Sequence, residues 1–363
     1  MSTAALASDS PNLRASSHIG YMPYLDGLRG LAVLAVIVYH AMPTALPGGF
    51  IGVDVFFVLS GFLITLLLLK EYDRAGRISL KNFYARRALR LLPALVLLLA
   101  TYLLLSVLLS WNVTERLWDA LLVICYSVNW TRAYELRVPK HLGHTWSLSI
   151  EEQFYLIWPL LLLCLLRYTS CRLKLARLIF CGALLAWLLR VGLYFGGSTP
   201  ERVYNGLDTR ADSLLLGCAL GTFISCRTLS SSKQARETLR LVAGGALVGL
   251  ALFLLHAHWW SSLTALLGLF LVPLLSLAVI ASLMNSEQSL IRSVAEQPVI
   301  VWIGQLSYGL YLWHYFVFHV IRATTDFSDL QVLVVGSGIS LAAASLSFYL
   351  LERPCLRLKK RFA

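Results

Sequence analysis

Charged residues are scarce in this sequence. Asp, Glu, Lys and Arg make up only 14% of the 363 residues, whereas 58% are hydrophobic and the mean hydropathy is +0.71. A soluble chain of this length cannot hide so much apolar surface, because polar side chains must cover most of its exterior. The composition therefore excludes a soluble enzyme. It predicts a polytopic helical membrane protein with no added soluble catalytic domain.

Acidic residues are the scarcer of the two charge classes. The 19 Asp and Glu residues are outnumbered by 31 Lys and Arg residues, which gives a net charge of +12. Such an excess can indicate nucleic-acid binding. Here, however, the basic residues lie in short loops between apolar segments, where membrane topology and anionic lipid headgroups explain them better. We therefore expect a lipid bilayer, and no nucleic acid, among the partners.

Cysteine pairs, a signal peptide and internal repeats are also missing. None of the seven cysteines belongs to a CxxC pair, which argues against a metal site or a disulfide framework. The first 20 residues contain no apolar core and so do not form a cleaved signal peptide. We predict a disordered cytoplasmic tail over residues 1–20 and a single membrane-embedded domain over 21–363. The lack of a repeat weakens any comparison with inverted-repeat transporters.

The apolar segments predict an all-α transmembrane bundle of about ten spans. They cover residues 29–45, 50–69, 91–110, 150–167, 178–196, 211–226, 241–257, 260–283, 300–321 and 330–351. Residues 117–130 are apolar but too few to cross a core of about 30 Å, so we predict a re-entrant or interfacial segment. The loop at 70–90 has seven Lys or Arg against two acids, which places it and both termini in the cytoplasm.

The first two spans carry three ionisable residues. Arg29 and His40 are eleven positions apart, which is three helical turns and about 16 Å, so they project from roughly one face. Asp54 opens the second span at a depth similar to that of His40. A carboxylate beside an imidazole fixes its tautomer and suits a general base. A purely structural histidine is the alternative, but ionisable groups within a membrane are usually functional.

An arginine-rich segment, FYARRALR, precedes the third span. Arg86, Arg87 and Arg90 lie within two helical turns against the membrane surface, and arginine binds phosphate groups through two hydrogen bonds. Membrane topology alone could explain these residues. Together with Arg29 they equally predict a site for an anionic cytosolic substrate.

The segment HTWSLSIEEQFYLIWP contains two adjacent acids at the predicted outer start of a span. Only one of them can face a given cavity, because neighbouring helical residues point about 100° apart. We choose Glu151 as the catalytic candidate, with Ser147 and Tyr155 as candidates for an acceptor site or channel. A Ser three residues before a Glu is also a capping-box pattern, which is the structural alternative.

Two further segments carry polar groups into apolar surroundings. TRADSLLLG places Arg210 and Asp212 at another outer end, and LSYGLYLWH places Tyr308, Tyr311 and His314 within two turns. We predict that these five residues line an acceptor site or a channel. Tyrosines near a membrane interface often belong only to its aromatic belt, which is the alternative for Tyr308 and Tyr311.

Seven segments together resemble, in order, the sequence blocks of the acyltransferase-3 family of integral membrane acyltransferases. They are YLDGLRGLAVLAVIVYH, GVDVFFVLSGFLIT, FYARRALRLLP, HTWSLSIEEQFYLIWP, TRADSLLLG, LSYGLYLWH and LERP. The resemblance extends from about Tyr24 to Arg361. A single block would be weak evidence, whereas seven blocks in order are specific.

The resemblance implies transfer of an acyl group, usually acetyl, from cytosolic acyl-CoA to a hydroxyl of a carbohydrate or glycosylated acceptor. Members of the family require the Arg and His of the first block, which implies roles for Arg29 and His40. It also implies CoA-phosphate contacts for Arg87 and Arg90 and a functional acid at Glu151. Acetyl-CoA would be a donor substrate, with no bound cofactor, and the location would be a bacterial cytoplasmic (inner) membrane.

The residues and the resemblance together predict one geometry. CoA would dock on the cytoplasmic face, and its thioester would reach His40, which Asp54 would orient. His40 would either deprotonate the acceptor hydroxyl or carry the acyl group itself, and the sequence leaves both open. A transporter or flippase for an envelope intermediate is the alternative function, because the same ionisable groups could form a proton relay. A scaffold for a biosynthetic complex is a third.

Overall fold

The computed structural model describes residues 21–226, 232–285 and 289–359. The predicted tail over residues 1–20 lies outside the described residues. The described residues form helices and no strand, which confirms the all-α class. The helices are α1 (Pro23–Ala41), α2 (Gly52–Ala75), α3 (Leu80–Leu108), α4 (Val113–Ile124), α5 (Val128–Ala133), α6 (Trp146–Tyr168), α7 (Arg172–Phe195), α8 (Pro200–Asn205), α9 (Leu207–Cys226), α10 (Lys233–His256), α11 (Leu269–Asn285), α12 (Leu290–Ala295), α13 (Pro298–Gln305), α14 (Ser307–Thr324), α15 (Asp329–Ser347) and α16 (Arg353–Arg357).

Eight described segments are long and apolar enough to cross a membrane. They are built on α1, α2, α3, α6, α7, α10, α11 and α15, and each overlaps a predicted span. The two other predicted spans fall on α9 and on α13 with α14. Helices α9 and α14 are less apolar because they carry charged or polar side chains, such as Arg210, Asp212 and His314, into the bundle, whereas α13 has only eight residues. The number of crossings and their orientation stay predictions.

Residues 117–130 form no continuous helix. Helix α4 ends at Ile124 and α5 begins at Val128, so the segment is broken by a turn. With 12 residues, α4 is about 18 Å long, shorter than the hydrocarbon core. These lengths support a segment that does not cross the bilayer.

The basic stretch at 70–90 is mostly helical, which corrects its description as a loop. Helix α2 continues to Ala75, and α3 begins at Leu80 after Ser79, whose side chain accepts a hydrogen bond from the Asn82 amide. Between them, Gly76 has a φ of 66°, a left-handed conformation that glycine adopts without strain. The arginines therefore project from the first turns of α3 at fixed helical positions.

The predicted span at 300–321 is divided into two helices at Leu306. The break lets α13 pack against α1 while α14 packs against α3 and α15. The first contact is so close that a Cβ atom on Gly304 would lie 1.7 Å from the carbonyl oxygen of Asp26. Small residues permit such close helix packing in membranes.

Helix α1 lies at the centre of the arrangement that forms the site. It packs against α2, α13 and α14, while α2 packs against α6 and α9. Contact between α2 and α9 depends on glycine, because a Cβ atom on Gly217 would lie 2.1 Å from the Val58 carbonyl oxygen. The four helices α1, α2, α6 and α14 thereby converge.

Candidate active site

A small cavity lies where α1, α2, α6 and α14 meet. Its volume is about 60 Å³, enough for about two water molecules. Its polar lining includes Arg29, Ser60, Ser147, Glu151, Tyr308 and Tyr311. Five of these six residues were predicted from the sequence as site residues, and the fold brings them to one place. A larger substrate would have to widen the cavity.

Arg29 lines one end of this cavity, with Arg87 and Arg90 close to it; we call this the arginine end. Arg87 forms an ion pair with Glu152 at 3.2 Å, and its guanidinium lies 3.5 Å from the centre of the Tyr155 ring. Arg86 pairs with Glu71 at 2.9 Å. Tyr155 therefore packs against an arginine here and is not among the residues that line the cavity, and its place in an acceptor site or channel stays a prediction.

Arg90 differs from its neighbours on α3. Among the described residues it has no hydrogen-bond or ion-pair partner, and its electrostatic neighbours include Arg29 and Arg87. Burial, followed by the charges of Arg90, Arg87 and Arg86, lowers the pKa of the C-terminal Lys359 to about 8. A positive potential of this kind disfavours a further cation and attracts an anion.

Glu151 also lies at the arginine end. It accepts a hydrogen bond of 2.5 Å from Ser60, and Arg87 and Arg29 are its nearest opposite charges. Glu151 is the sixth residue of α6, whereas His144 precedes the start of that helix at Trp146. Glu151 therefore lies closer to the arginine end than to the histidine cluster, and its position relative to the membrane stays a prediction.

Histidines lie beyond the other end of the cavity, next to Ser147 and Tyr311, without lining it. His40 Nδ1 and His314 Nε2 are 3.0 Å apart, and the His144 ring centre is 5.5 Å from that of His314. We call these three residues the histidine cluster. Tyr311 connects it to the cavity, since its hydroxyl bonds Ser147 Oγ at 2.6 Å and donates to the His144 carbonyl at 2.8 Å. Among the described residues, no group of His, Cys, Asp and Glu side chains could hold a metal ion.

Asp54 does not orient His40. It forms an ion pair with Arg210 at 2.7 Å, and next to it Asp212 pairs with Arg190 at 2.7 Å. All four side chains are fully buried and join α2, α7 and α9; we call them the buried ion-pair network. Each charge requires an opposite partner in a low-dielectric interior. None of the four lines the cavity, and the place of Arg210 and Asp212 in an acceptor site or channel stays a prediction.

Three residues at the site were missed by the sequence reasoning. Ser60 binds Glu151, and His144 is buried with both ring nitrogens unbonded by any described residue. Arg322 donates to the carbonyl oxygens of His40 at 3.1 Å and Ala41 at 2.7 Å, and so caps the C-terminus of α1. His144 and Arg322 could have been found from the sequence, because each is an ionisable residue beside an apolar span.

The family comparison decides the class of protein. Residues 22–351 match the model of an acyltransferase domain, Acyl_transf_3. The chain belongs to this acyltransferase family. The match confirms the family predicted from the seven blocks. With eight candidate spans, the acyltransferase is an integral membrane protein.

Curated relatives of this acyltransferase are named as O-acetyltransferases. The chain is 36% identical over 350 residues to the peptidoglycan O-acetyltransferase OatA of Listeria monocytogenes, covering 92% of this chain and 56% of the relative. It is 37% identical over 349 residues to a putative O-acetyltransferase of Staphylococcus aureus strain MSSA476, covering 92% and 57%. It is 32% identical over 352 residues to the putative peptidoglycan O-acetyltransferase YrhL of Bacillus subtilis, covering 93% and 55%. The chain thus spans slightly over half the length of these relatives. No solved structure matches it significantly.

Proposed function

We propose that this acyltransferase moves an acyl group, most simply acetyl, from cytosolic acyl-CoA to a hydroxyl of a carbohydrate or glycosylated acceptor. The observation that carries the proposal is a small cavity with the arginine end on one side and, on the other, Tyr311, whose ring contacts the histidine cluster. The named activities of the relatives support an O-acetyl product, and the peptidoglycan named for OatA supports a saccharide of the cell envelope. Such an acceptor favours the bacterial cytoplasmic membrane as the location.

The arginine end supplies the donor site in this proposal. Arg90 offers a guanidinium without an ion-pair partner among the described residues, and Arg29 carries its charge into the cavity. Arginine matches phosphate in charge and in hydrogen-bond geometry. Arg86 and Arg87 already form ion pairs with Glu71 and Glu152. They would contact the CoA phosphates while keeping these pairs.

The cavity then leads the acyl group toward His40. Arg29 and His40 are eleven residues apart on α1, about 16 Å along its axis, and the long arm of CoA would extend across this distance. His40 would take the proton of the acceptor hydroxyl and return it to the CoA thiolate, or accept the acyl group before passing it on. Both routes end with an ester and free CoA.

Acyl-CoA turnover tests the proposal directly. We expect the purified protein to release CoA from acetyl-CoA when crude envelope saccharides are added, and to transfer the acetyl label to them. The control is the same preparation without saccharide, which reports hydrolysis. A folded protein that transports an envelope intermediate but releases no CoA would favour the transporter or flippase function.

Loss of Arg90 should weaken donor binding. We expect Arg90→Ala to raise the KM for acyl-CoA about 10-fold or more, since a hydrogen bond to a charged group contributes about 1.5–3 kcal/mol. Lys81→Ala is the matched control, because Lys81 is an exposed cation on the same helix. Equal KM values for both variants would mean that Arg90 serves membrane topology or binds lipid headgroups, and does not bind the donor.

A further inference from the structure

The imidazole of His40 is bonded to a second imidazole and not to a carboxylate. His40 Nδ1 lies 3.0 Å from Nε2 of His314, which is 274 residues away on α14. The other ring nitrogen of His314, Nδ1, lies 2.9 Å from the carbonyl oxygen of Leu310 on the same helix. The three groups form a chain of two hydrogen bonds that ends on the backbone.

The carbonyl end of this chain determines where the protons are. A carbonyl oxygen only accepts hydrogen bonds, so Nδ1 of His314 must carry a proton. In a neutral imidazole the second nitrogen is then an acceptor, and Nε2 of His314 must receive its hydrogen bond from His40. His40 is therefore protonated at Nδ1, and its basic lone pair is on Nε2.

The surroundings support a neutral His314. Its side chain is fully buried, and its ring neighbours are His40, His144, Tyr311, Tyr315 and Phe318. None of the described residues bonded to it is an acid. An imidazolium buried without a carboxylate would be costly.

We propose that His314 is a positioning residue that holds His40 as the Nδ1–H tautomer, so that Nε2 of His40 is the nitrogen that acts in acyl transfer. This inference rests on the proposed function and deepens it. In the direct route, Nε2 takes the proton from the acceptor hydroxyl and the oxygen attacks the thioester carbonyl. The C–O bond forms, the C–S bond breaks, and the proton passes from Nε2 to the thiolate. Throughout, the Nδ1–H of His40 donates its hydrogen bond to His314. His314 thus takes the place that a carboxylate occupies in a His–carboxylate pair.

One other side chain, Arg322, helps to position His40. Arg322 holds the backbone of α1 at His40 and Ala41, whereas His314 determines the protonation of the ring. Asp54 is already paired with Arg210. The ring of His144 is close but forms no hydrogen bond to either histidine among the described contacts.

Nitrogen NMR of the whole protein with ¹⁵N-labelled histidine tests the tautomer without any assay of activity. We expect the His40 signals, assigned by their loss in His40→Ala, to report Nδ1–H and an unprotonated Nε2. In His314→Ala this pattern should change to a mixture of tautomers, whereas His319→Gln should leave it intact. An Nε2–H tautomer in the wild type, or an unchanged pattern in His314→Ala, would overturn the proposal.

Steady-state kinetics test whether the tautomer of His40 affects acyl transfer. His314→Gln keeps an acceptor oxygen near the position of Nε2, so we expect kcat to fall by less than about 10-fold, against about 10²–10⁴-fold for His314→Ala. The KM for acyl-CoA should be unchanged in both, because the donor phosphates bind at the arginine end. Equal losses in the two variants would contradict a tautomer role. If no variant transferred acyl groups, the proposed function would fail while the NMR result still decided the tautomer.

Discussion

Replacing His40 with Ala is expected to lower kcat for acyl transfer by about 10²–10⁴-fold, the contribution that a general base usually makes. Acyl-CoA affinity should change little, since the arginine end is about 16 Å away along α1. The side chain projects from the last turn of its helix, and its carbonyl bond to Arg322 would remain. The measurement is CoA release and labelled-acetyl transfer, with binding of acyl-CoA measured separately.

His319→Ala is the matched control for this substitution. His319 lies on α14 near the histidine cluster, but its ring bonds the backbone of Tyr315 and forms no hydrogen bond to His40 among the described contacts. We expect this variant to retain most of the wild-type kcat. Full turnover in His40→Ala would remove His40 from the mechanism. A stable acetyl adduct on His40, trapped in the absence of acceptor, would select the acyl-enzyme route.

Helical spacing was enough to predict the long axis of the site. Arg29 and His40 are three turns apart on one helix, and the structure places Arg29 in the cavity and His40 in the histidine cluster beyond it. Tyr308, Tyr311 and His314 likewise follow one another along α14 from the cavity to that cluster. Order along a helix is a local property, so the sequence contains it.

Partners on different helices could not be predicted in this way. Asp54 and Arg210 are 156 residues apart, and His40 and His314 are 274 apart. Similar depth in the membrane made Asp54 a reasonable partner for His40, but depth does not determine which face of a helix meets which neighbour. The close glycine contact between α2 and α9 directs Asp54 toward Arg210 instead.

Helix boundaries account for the other corrections. The charges at 70–90 indicated a loop, yet α2 and α3 continue through most of it, because a helix may extend beyond the bilayer with its polar residues in water. The boundary of α6 likewise determines the position of Glu151, which is the sixth residue of a helix that begins at Trp146 and accepts a hydrogen bond from Ser60.

Removing Asp54 should destabilise the fold rather than only the chemistry. Asp54→Leu leaves Arg210 buried without its partner, and breaking a buried ion pair costs about 3–5 kcal/mol. We expect a large loss of folded protein in detergent, measured by the thermal unfolding midpoint and by size-exclusion profile. Glu237→Ala is the control, because the Lys233–Glu237 pair is exposed, 3.9 Å apart, and should contribute about 1 kcal/mol or less.

The double variant Asp54→Leu with Arg210→Met separates the two roles that Asp54 could have. It removes both charges and replaces them with apolar groups, a change that is often neutral in a protein interior. The neighbouring Arg190–Asp212 pair stays intact and neutral. We therefore expect the double variant to recover folded protein and a substantial part of the acyl-transfer activity. A well-folded double variant with the activity of His40→Ala would instead return Asp54 to the catalytic site. In that case the ion pair with Arg210 would have to open during turnover, because in the structure it holds the Asp54 carboxylate away from His40.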